Sequence, residues 1–185
     1  KKEGIIPPAF VPLSDSSADK KTAEALNEFI TQSLPLLADH PLNQERKKQG
    51  LPMANMILIR GAGQMGDYEP FRERYGLSGS VISAATLITG IGKSLGLRYV
   101  TVEGATGSSD TNLEGKVNAA LTELKEQDFV LLNIKGADEA GHDGRATEKK
   151  NFIERIDSAL EPLLETEGYL IVVCADHSTP CSIRD

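Results

Sequence analysis

Two rhythms alternate along this chain: short runs that are apolar at every position, and longer stretches with apolar residues every three or four positions. The helical rhythm comes first. From Ser16 or Ser17, the residues Ala23, Leu26, Phe29, Ile30 and Leu37 predict a helix. Pro35 should kink or split it, and His40-Pro41 should close it, because the residue before a proline disfavours the helical region. The polar run Gln44, Glu45, Arg46, Lys47, Lys48 predicts a short solvated helix ended by Gly50. Residues 55–59 then read as a buried strand running into a glycine-rich loop from Gly61 to Gly66. Residues 81–95 place Val81, Ile82, Ala85, Ile88 and Leu95 on one helical side, with Gly96 as cap. Residues 98–102 predict a strand, and Asp110 or Thr111 can cap a helix carrying Leu113, Val117, Ala120, Leu121 and Leu124. Residues 129–134 form another apolar strand. The clearest amphipathic helix starts near Thr147 and carries Ile153, Ile156, Leu160, Leu163 and Leu164, and residues 169–174 give the last strand. The lead-in before residue 16, with Pro7, Pro8 and Pro12, reads as extended.

Strands apolar on every residue, alternating with amphipathic helices, predict an α/β fold: a three-layer sandwich with a mostly parallel sheet covered on both faces. Ligands in such sheets bind beyond the carboxyl ends of the strands. The residues following Ile59, Val102, Ile134 and Cys174 therefore carry the candidate chemistry.

Composition narrows the classes. Of 185 residues, 39 % are hydrophobic and 25 % charged, the mix of a globular protein rather than a disordered chain. With 20 Lys and Arg against 27 Asp and Glu, the net charge is −7, which argues against a broad electrostatic grip on nucleic acid. No run of about 18 apolar residues predicts a membrane span, and no secretory signal is visible. Two cysteines make no disulfide scaffold, so a reducing cytoplasm is expected.

Two motifs are weaker than they look. The stretch from Gly61 to Gly66 has the spacing of a dinucleotide fingerprint, but Asp67, Tyr68, Glu69 and Pro70 follow where a helix N-terminus should receive the pyrophosphate. A tight loop at a strand end is the expected role. Gly92-Lys93-Ser94 resembles the end of a phosphate-binding loop, yet Leu87 stands where that loop needs its first glycine. Lys93 is expected as a solvated lysine near a helix end.

The strand ending at Ile134 runs into Lys135-Gly136-Ala137-Asp138-Glu139-Ala140-Gly141-His142-Asp143-Gly144, and the one ending at Cys174 into Ala175-Asp176-His177-Ser178-Thr179-Pro180. Two of only three histidines thus fall at carboxyl ends of predicted parallel strands, each with an aspartate upstream. Carboxylate oxygen with neutral imidazole nitrogen suits a borderline divalent metal. Gly136, Gly141 and Gly144 are expected to let the backbone turn and aim Asp138 and His142 inward. A single Asp-His pair is often structural; two at one sheet edge point to a metal site.

These two motifs, with 136–144 and 176–182 taken together, resemble the alkaline phosphatase superfamily. Within it the chain most resembles the archaeal-type cofactor-independent (2,3-bisphosphoglycerate-independent) phosphoglycerate mutases. Residues 52–63 agree, as do Glu103-Gly104-Ala105-Thr106-Gly107 and Asp110-Thr111-Asn112. The resemblance implies an isomerase that interconverts 3-phosphoglycerate and 2-phosphoglycerate through a phosphorylated serine at a two-metal site. Asp138 and His142 would hold one metal and Asp176 and His177 the other, of the Mn, Mg, Co or Zn class, with no need for 2,3-bisphosphoglycerate. Two such ions can clamp the oxygens of a phosphoryl group in transfer. Arg60, and more weakly Lys135, would bind the substrate's phosphate or carboxylate. The alternative for both is an ordinary surface ion pair. The implied partner is a small phosphoglycerate, with neither nucleic acid nor membrane, and self-association is left open.

The departures from the family are specific. Its nucleophilic serine and one further metal-binding aspartate have no counterpart here, and a further histidine after the Asp-His motif is also missing. Ser178, Ser182, Thr106 and His40 read as structural. The chain is therefore expected to be an internal or C-terminal piece, inactive alone. Residues 1–66 would be the tail of an inserted substrate-covering α+β domain, and 67–185 a partial metal-binding phosphatase-like domain. Another metal-dependent phosphatase or phosphotransferase of the superfamily, or a non-catalytic binding domain, are the rival readings.

Overall fold

Ser16 accepts a hydrogen bond from the Asp19 backbone N–H (3.1 Å) and so starts the first helix, α1 (Ser17–Asp39), in the computed structural model of the chain. The structure describes residues 8–59, 61, 63 and 66–183. They fall into two units, Lys1–Met65 and Gly66–Asp185.

In the first unit, Pro35 does not split α1, which runs on to Asp39. Pro41 forces His40 into an extended conformation, and this ends α1. The same residue opens α2 (Pro41–Lys48): His40 Nδ1 accepts the Leu42 N–H at 3.2 Å. Arg46, Lys47 and Lys48 complement the C-terminal end of the α2 dipole. Buried Asn43 clips the following segment in place, donating to the Leu37 and Ala54 carbonyls and accepting the Ala54 N–H. Residues 55–59 are not a strand. A strand needs a neighbour's N–H and C=O groups, none pairs with this segment among the described residues, and Leu58 is 69 % exposed.

The second unit opens with α3 (Phe71–Tyr75) and then builds a parallel sheet from β1 (Gly79–Ile82), β2 (Arg98–Val100) and β3 (Phe129–Leu132), in the order β2-β1-β3. The central strand β1 corrects the sequence reading, which gave Val81 and Ile82 to a helix. Only α4 (Thr86–Ser94) is helical there. Short apolar runs next to an apolar helix share its periodicity, so the boundary is hidden. Beyond α4, Gly96 adopts a left-handed conformation (φ 73°), its N–H reaching Lys93 O and the Leu97 N–H reaching Gly92 O, which closes the helix end as expected. Asn112, rather than Asp110 or Thr111, caps α5 (Leu113–Glu123) by accepting the Gly115 N–H at 2.8 Å.

Successive side chains of a strand face opposite ways. Ser80 donates from β1 to Glu123 of α5, while Val81 meets Gly92 of α4, so the two helices cover opposite faces and the fold has three layers. The final helices are α6 (Gly136–His142) and α7 (Ala146–Leu164), and α7 packs on both α5 and α6. Residues 169–174 do not join the sheet; Leu170, Val172 and Val173 stand exposed.

A Cβ at Gly92 would lie 2.5 Å from Val81 Cγ1. Gly92→Ala is therefore expected to destabilise the fold by about 1–2 kcal/mol, overpacking outweighing the roughly 1 kcal/mol gained in helix propensity. A urea midpoint equal to or above that of the parent chain would show instead that α4 can lift off β1.

Candidate metal centre

The chain leaves β1 toward α4 on one face and leaves β3 toward α6 and α7 on the side of α5. The strand exits therefore diverge between β1 and β3, where open α/β sheets hold ligands. Across that gap Ser83 Oγ donates to Asn133 Oδ1 at 2.9 Å. Below it Lys116, fully buried, donates to the Asn133 carbonyl at 3.3 Å and the Thr106 carbonyl at 3.4 Å. Burial pushes the Lys116 ammonium pKa down.

The first Asp-His motif is helical rather than a glycine turn, which corrects the sequence expectation. Asp138 and His142 lie four residues apart on one face of α6. Gly136 and Gly141 serve close packing: a Cβ on Gly136 would sit 2.7 Å from Phe152 Cε1 and Ser108 O, and one on Gly141 would sit 2.7 Å from Thr179 O. Only Gly144 takes the left-handed turn, at φ 68°.

Asp138 is the hub. Its Oδ1 lies 3.4 Å from His142 Nε2 and 3.9 Å from His177 Nε2, and accepts the Thr179 hydroxyl at 2.6 Å. Its Oδ2 accepts from Lys135 Nζ at 2.9 Å. The Thr179 hydrogen bond holds the Asp138 carboxyl below the usual carboxylate range, outweighing its partial burial, with Lys135 and His142 adding to the shift. The His142 and His177 rings meet edge-on, centroids 6.5 Å apart. His142, His177, Ser178, Thr179, Pro180 and Ile183 line a concavity of about 260 Å³.

Of the residues singled out in the sequence, the structure brings Asp138, His142, His177 and Lys135 together. Asp176 is 96 % exposed, its Oδ2 3.7 Å from His177 Nε2. Arg60 lies outside the described residues. Among the described residues no three or more His, Cys, Asp or Glu side chains are gathered closely enough to hold a metal ion between them. The Asp138–His142 pair nevertheless has the donor types and spacing of two ligands of one divalent ion. Two ligands of one tetrahedral ion with bonds of about 2.1 Å stand about 3.4 Å apart, the His142–Asp138 separation.

Residues 15–185 match the Metalloenzyme superfamily. The chain belongs to that superfamily. Its three-layer α/β fold around a parallel sheet is of the alkaline-phosphatase-like kind anticipated from the motifs. A solved protein from Pyrococcus horikoshii superposes with a TM-score of 0.75 at 36 % identity, covering 91 % of this chain and 45 % of that one. Among curated relatives, a protein from Methanoculleus marisnigri is 60 % identical and one from Methanosphaerula palustris 58 % identical, each over all 185 residues. Both are named 2,3-bisphosphoglycerate-independent phosphoglycerate mutase. The chain spans 45 % of the length of each. No helix among the described residues is long and apolar enough to cross a membrane.

Sequence reasoning passed over three residues that organise this edge of the fold: Thr179, Lys149 and Lys116. Lys149 reaches from α7 to donate to the Thr179 carbonyl at 2.8 Å. A signal for Thr179 existed, since positions i and i+2 of an extended segment share a face and His177 is two residues before it. Lys116 gave none, because it sits in an otherwise ordinary helical stripe. The phosphate-loop lookalike is resolved as expected: Lys93 falls in the last turn of α4, its Nζ 4.8 Å above the Tyr99 ring.

Proposed function

We propose that this chain is part of a 2,3-bisphosphoglycerate-independent phosphoglycerate mutase, which interconverts 3-phosphoglycerate and 2-phosphoglycerate through a phosphoserine. The observation that carries the reading is the approach of two imidazole Nε2 atoms, from His142 and His177, to one oxygen of Asp138. The names of the two relatives that align with the entire chain support the substrate. Asp138 and His142 would hold one divalent ion and Asp176 and His177 a second, of the Mn, Mg, Co or Zn class. Bound there, such ions supply positive charge to phosphoryl oxygens and keep a serine alkoxide available near neutral pH.

The chain's own residues divide the remaining work. Lys135, half exposed and held by Asp138, presents a cation beside the centre where a substrate phosphate or carboxylate can be gripped. Arg60 is proposed for substrate binding as well, and residues 1–66 are assigned to the tail of an inserted substrate-covering domain. Ser178 and Ser182 are loop residues. The nucleophilic serine is assigned to a part of the protein beyond these 185 residues, and the setting to the cytoplasm.

The test is direct. The purified 185-residue chain with Mn2+ should show no measurable phosphoglycerate interconversion, while a longer protein that includes it should interconvert the two without 2,3-bisphosphoglycerate. Turnover by the chain alone would overturn the assignment of the serine. A longer protein that hydrolyses other phosphoesters and ignores phosphoglycerates would overturn the substrate.

A further inference from the structure

We propose that Thr179 is a positioning residue that fixes the ring tautomer of His177, so that Nε2 is the metal-binding atom, and locks the two Asp-His motifs to each other. The inference rests on the metal-centre reading above. Thr179 is 8 % exposed, while Asp176, His177, Ser178 and Pro180 around it are exposed. Its hydroxyl has one proton, and that proton goes to Asp138 Oδ1 at 2.6 Å, because an ionised carboxylate only accepts. Only lone pairs are then left on Thr179 Oγ1 to face His177 Nδ1 at 3.2 Å. The Ser178 carbonyl, an acceptor by nature, lies 3.1 Å from the same nitrogen. Both contacts require the hydrogen to be on Nδ1. A neutral imidazole protonated at Nδ1 carries its free lone pair on Nε2. That is the nitrogen turned toward Asp138 Oδ1 at 3.9 Å and Asp176 Oδ2 at 3.7 Å.

The threonine is itself held from two helices. Lys149 Nζ of α7 donates to its carbonyl at 2.8 Å. The missing side chain at Gly141 of α6 makes room for that same carbonyl, since a Cβ there would lie 2.7 Å from it. One hydroxyl thus links a helix-borne carboxylate to a loop-borne imidazole, and the loop is anchored so that the link persists before any ion arrives.

The experiment uses the full 185-residue chain, 15N-labelled at histidine. Without metal, above the histidine titration range, two-bond 15N–1H correlations should show His177 as the Nδ1–H tautomer. Thr179→Val, close in shape without the hydroxyl, should shift it to a mixture or to Nε2–H, and weaken Mn2+ binding in electron paramagnetic resonance titrations by about 10- to 100-fold. Thr179→Ser should restore both, and all variants should keep the parent circular dichroism. The inference is overturned if the parent His177 is the Nε2–H tautomer, a result that needs no variant to fold. It is also overturned if the valine variant keeps parent tautomer and affinity while Asp138→Ala loses Mn2+, in which case the metal centre stands and only the role of Thr179 falls. If neither the parent nor Asp138→Ala binds Mn2+, the metal-centre reading falls and the inference with it.

Discussion

Replacing Asp138 with alanine is expected to lower Mn2+ affinity by on the order of 100-fold or more, a larger loss than for a residue that only orients a ligand. The geometry sets the size of the effect. Lys135 Nζ at 2.9 Å, the Thr179 hydroxyl at 2.6 Å, and the Nε2 atoms of His142 at 3.4 Å and His177 at 3.9 Å all face this one carboxylate. Without it, a divalent cation beside His142 would meet imidazole nitrogen and the Lys135 ammonium, which would repel it, and the exposed Asp176 beside His177 would be the carboxylate left. Asp138→Asn separates shape from charge. The amide oxygen can still accept from Thr179, so the local structure should survive while affinity falls nearly as far. Isothermal titration calorimetry with Mn2+, alongside circular dichroism to verify folding, reads both. Parent-like affinity in the alanine variant would remove Asp138 from the centre and the pair it forms with His142.

The chemistry of this edge was more legible in the sequence than its architecture. Asp138, His142 and His177 stood out because histidine is scarce and falls just past apolar runs, although only the run before Asp138 and His142 is a strand of the sheet among the described residues. Residue type and spacing survive whatever the local backbone does. Spacing alone paired Asp138 with His142, and the helix over 136–142 is what puts i and i+4 on one face. Architecture failed where periodicity is ambiguous or where a partner decides. Val81 and Ile82 satisfy a helical and a strand pattern equally; what makes β1 a strand is β2 and β3 on either side, a long-range fact. Residues 55–59 and 169–174 look like strands for the same local reasons and lack that pairing among the described residues. Thr179 escaped notice because its importance lies in contacts across 41 residues of sequence, to Asp138, and across 30, to Lys149. Asn112 outcompeted Thr111 as a cap because Thr111 is turned inward, accepting the Thr106 N–H at 2.9 Å.

Phe152→Ala is expected to cost about 3–5 kcal/mol of stability, the range for deleting a buried aromatic side chain. Phe152 is 1 % exposed and is the largest apolar side chain to be fully buried in the described residues. Its ring fills the space that Gly136 leaves empty, and Gly136 is the first residue of the helix that carries Asp138 and His142. On the other side of that glycine lies a backbone carbonyl, at Ser108, which cannot move as a side chain would. The first turn of α6 is therefore seated between a ring and a peptide. Removing the ring leaves a cavity beside the peptide, at the first turn of α6. The Arg155 guanidinium, 5.5 Å from the ring centroid, would lose its aromatic face as well. Phe152→Leu, which retains most of the volume, should cost about 1–2 kcal/mol. Urea unfolding of the metal-free chain measures the packing loss by itself, through a lowered midpoint at unchanged slope. A shift worth less than about 1 kcal/mol in the alanine variant would show that the site collapses without cost. The ring would then not be what seats the helix that carries Asp138 and His142.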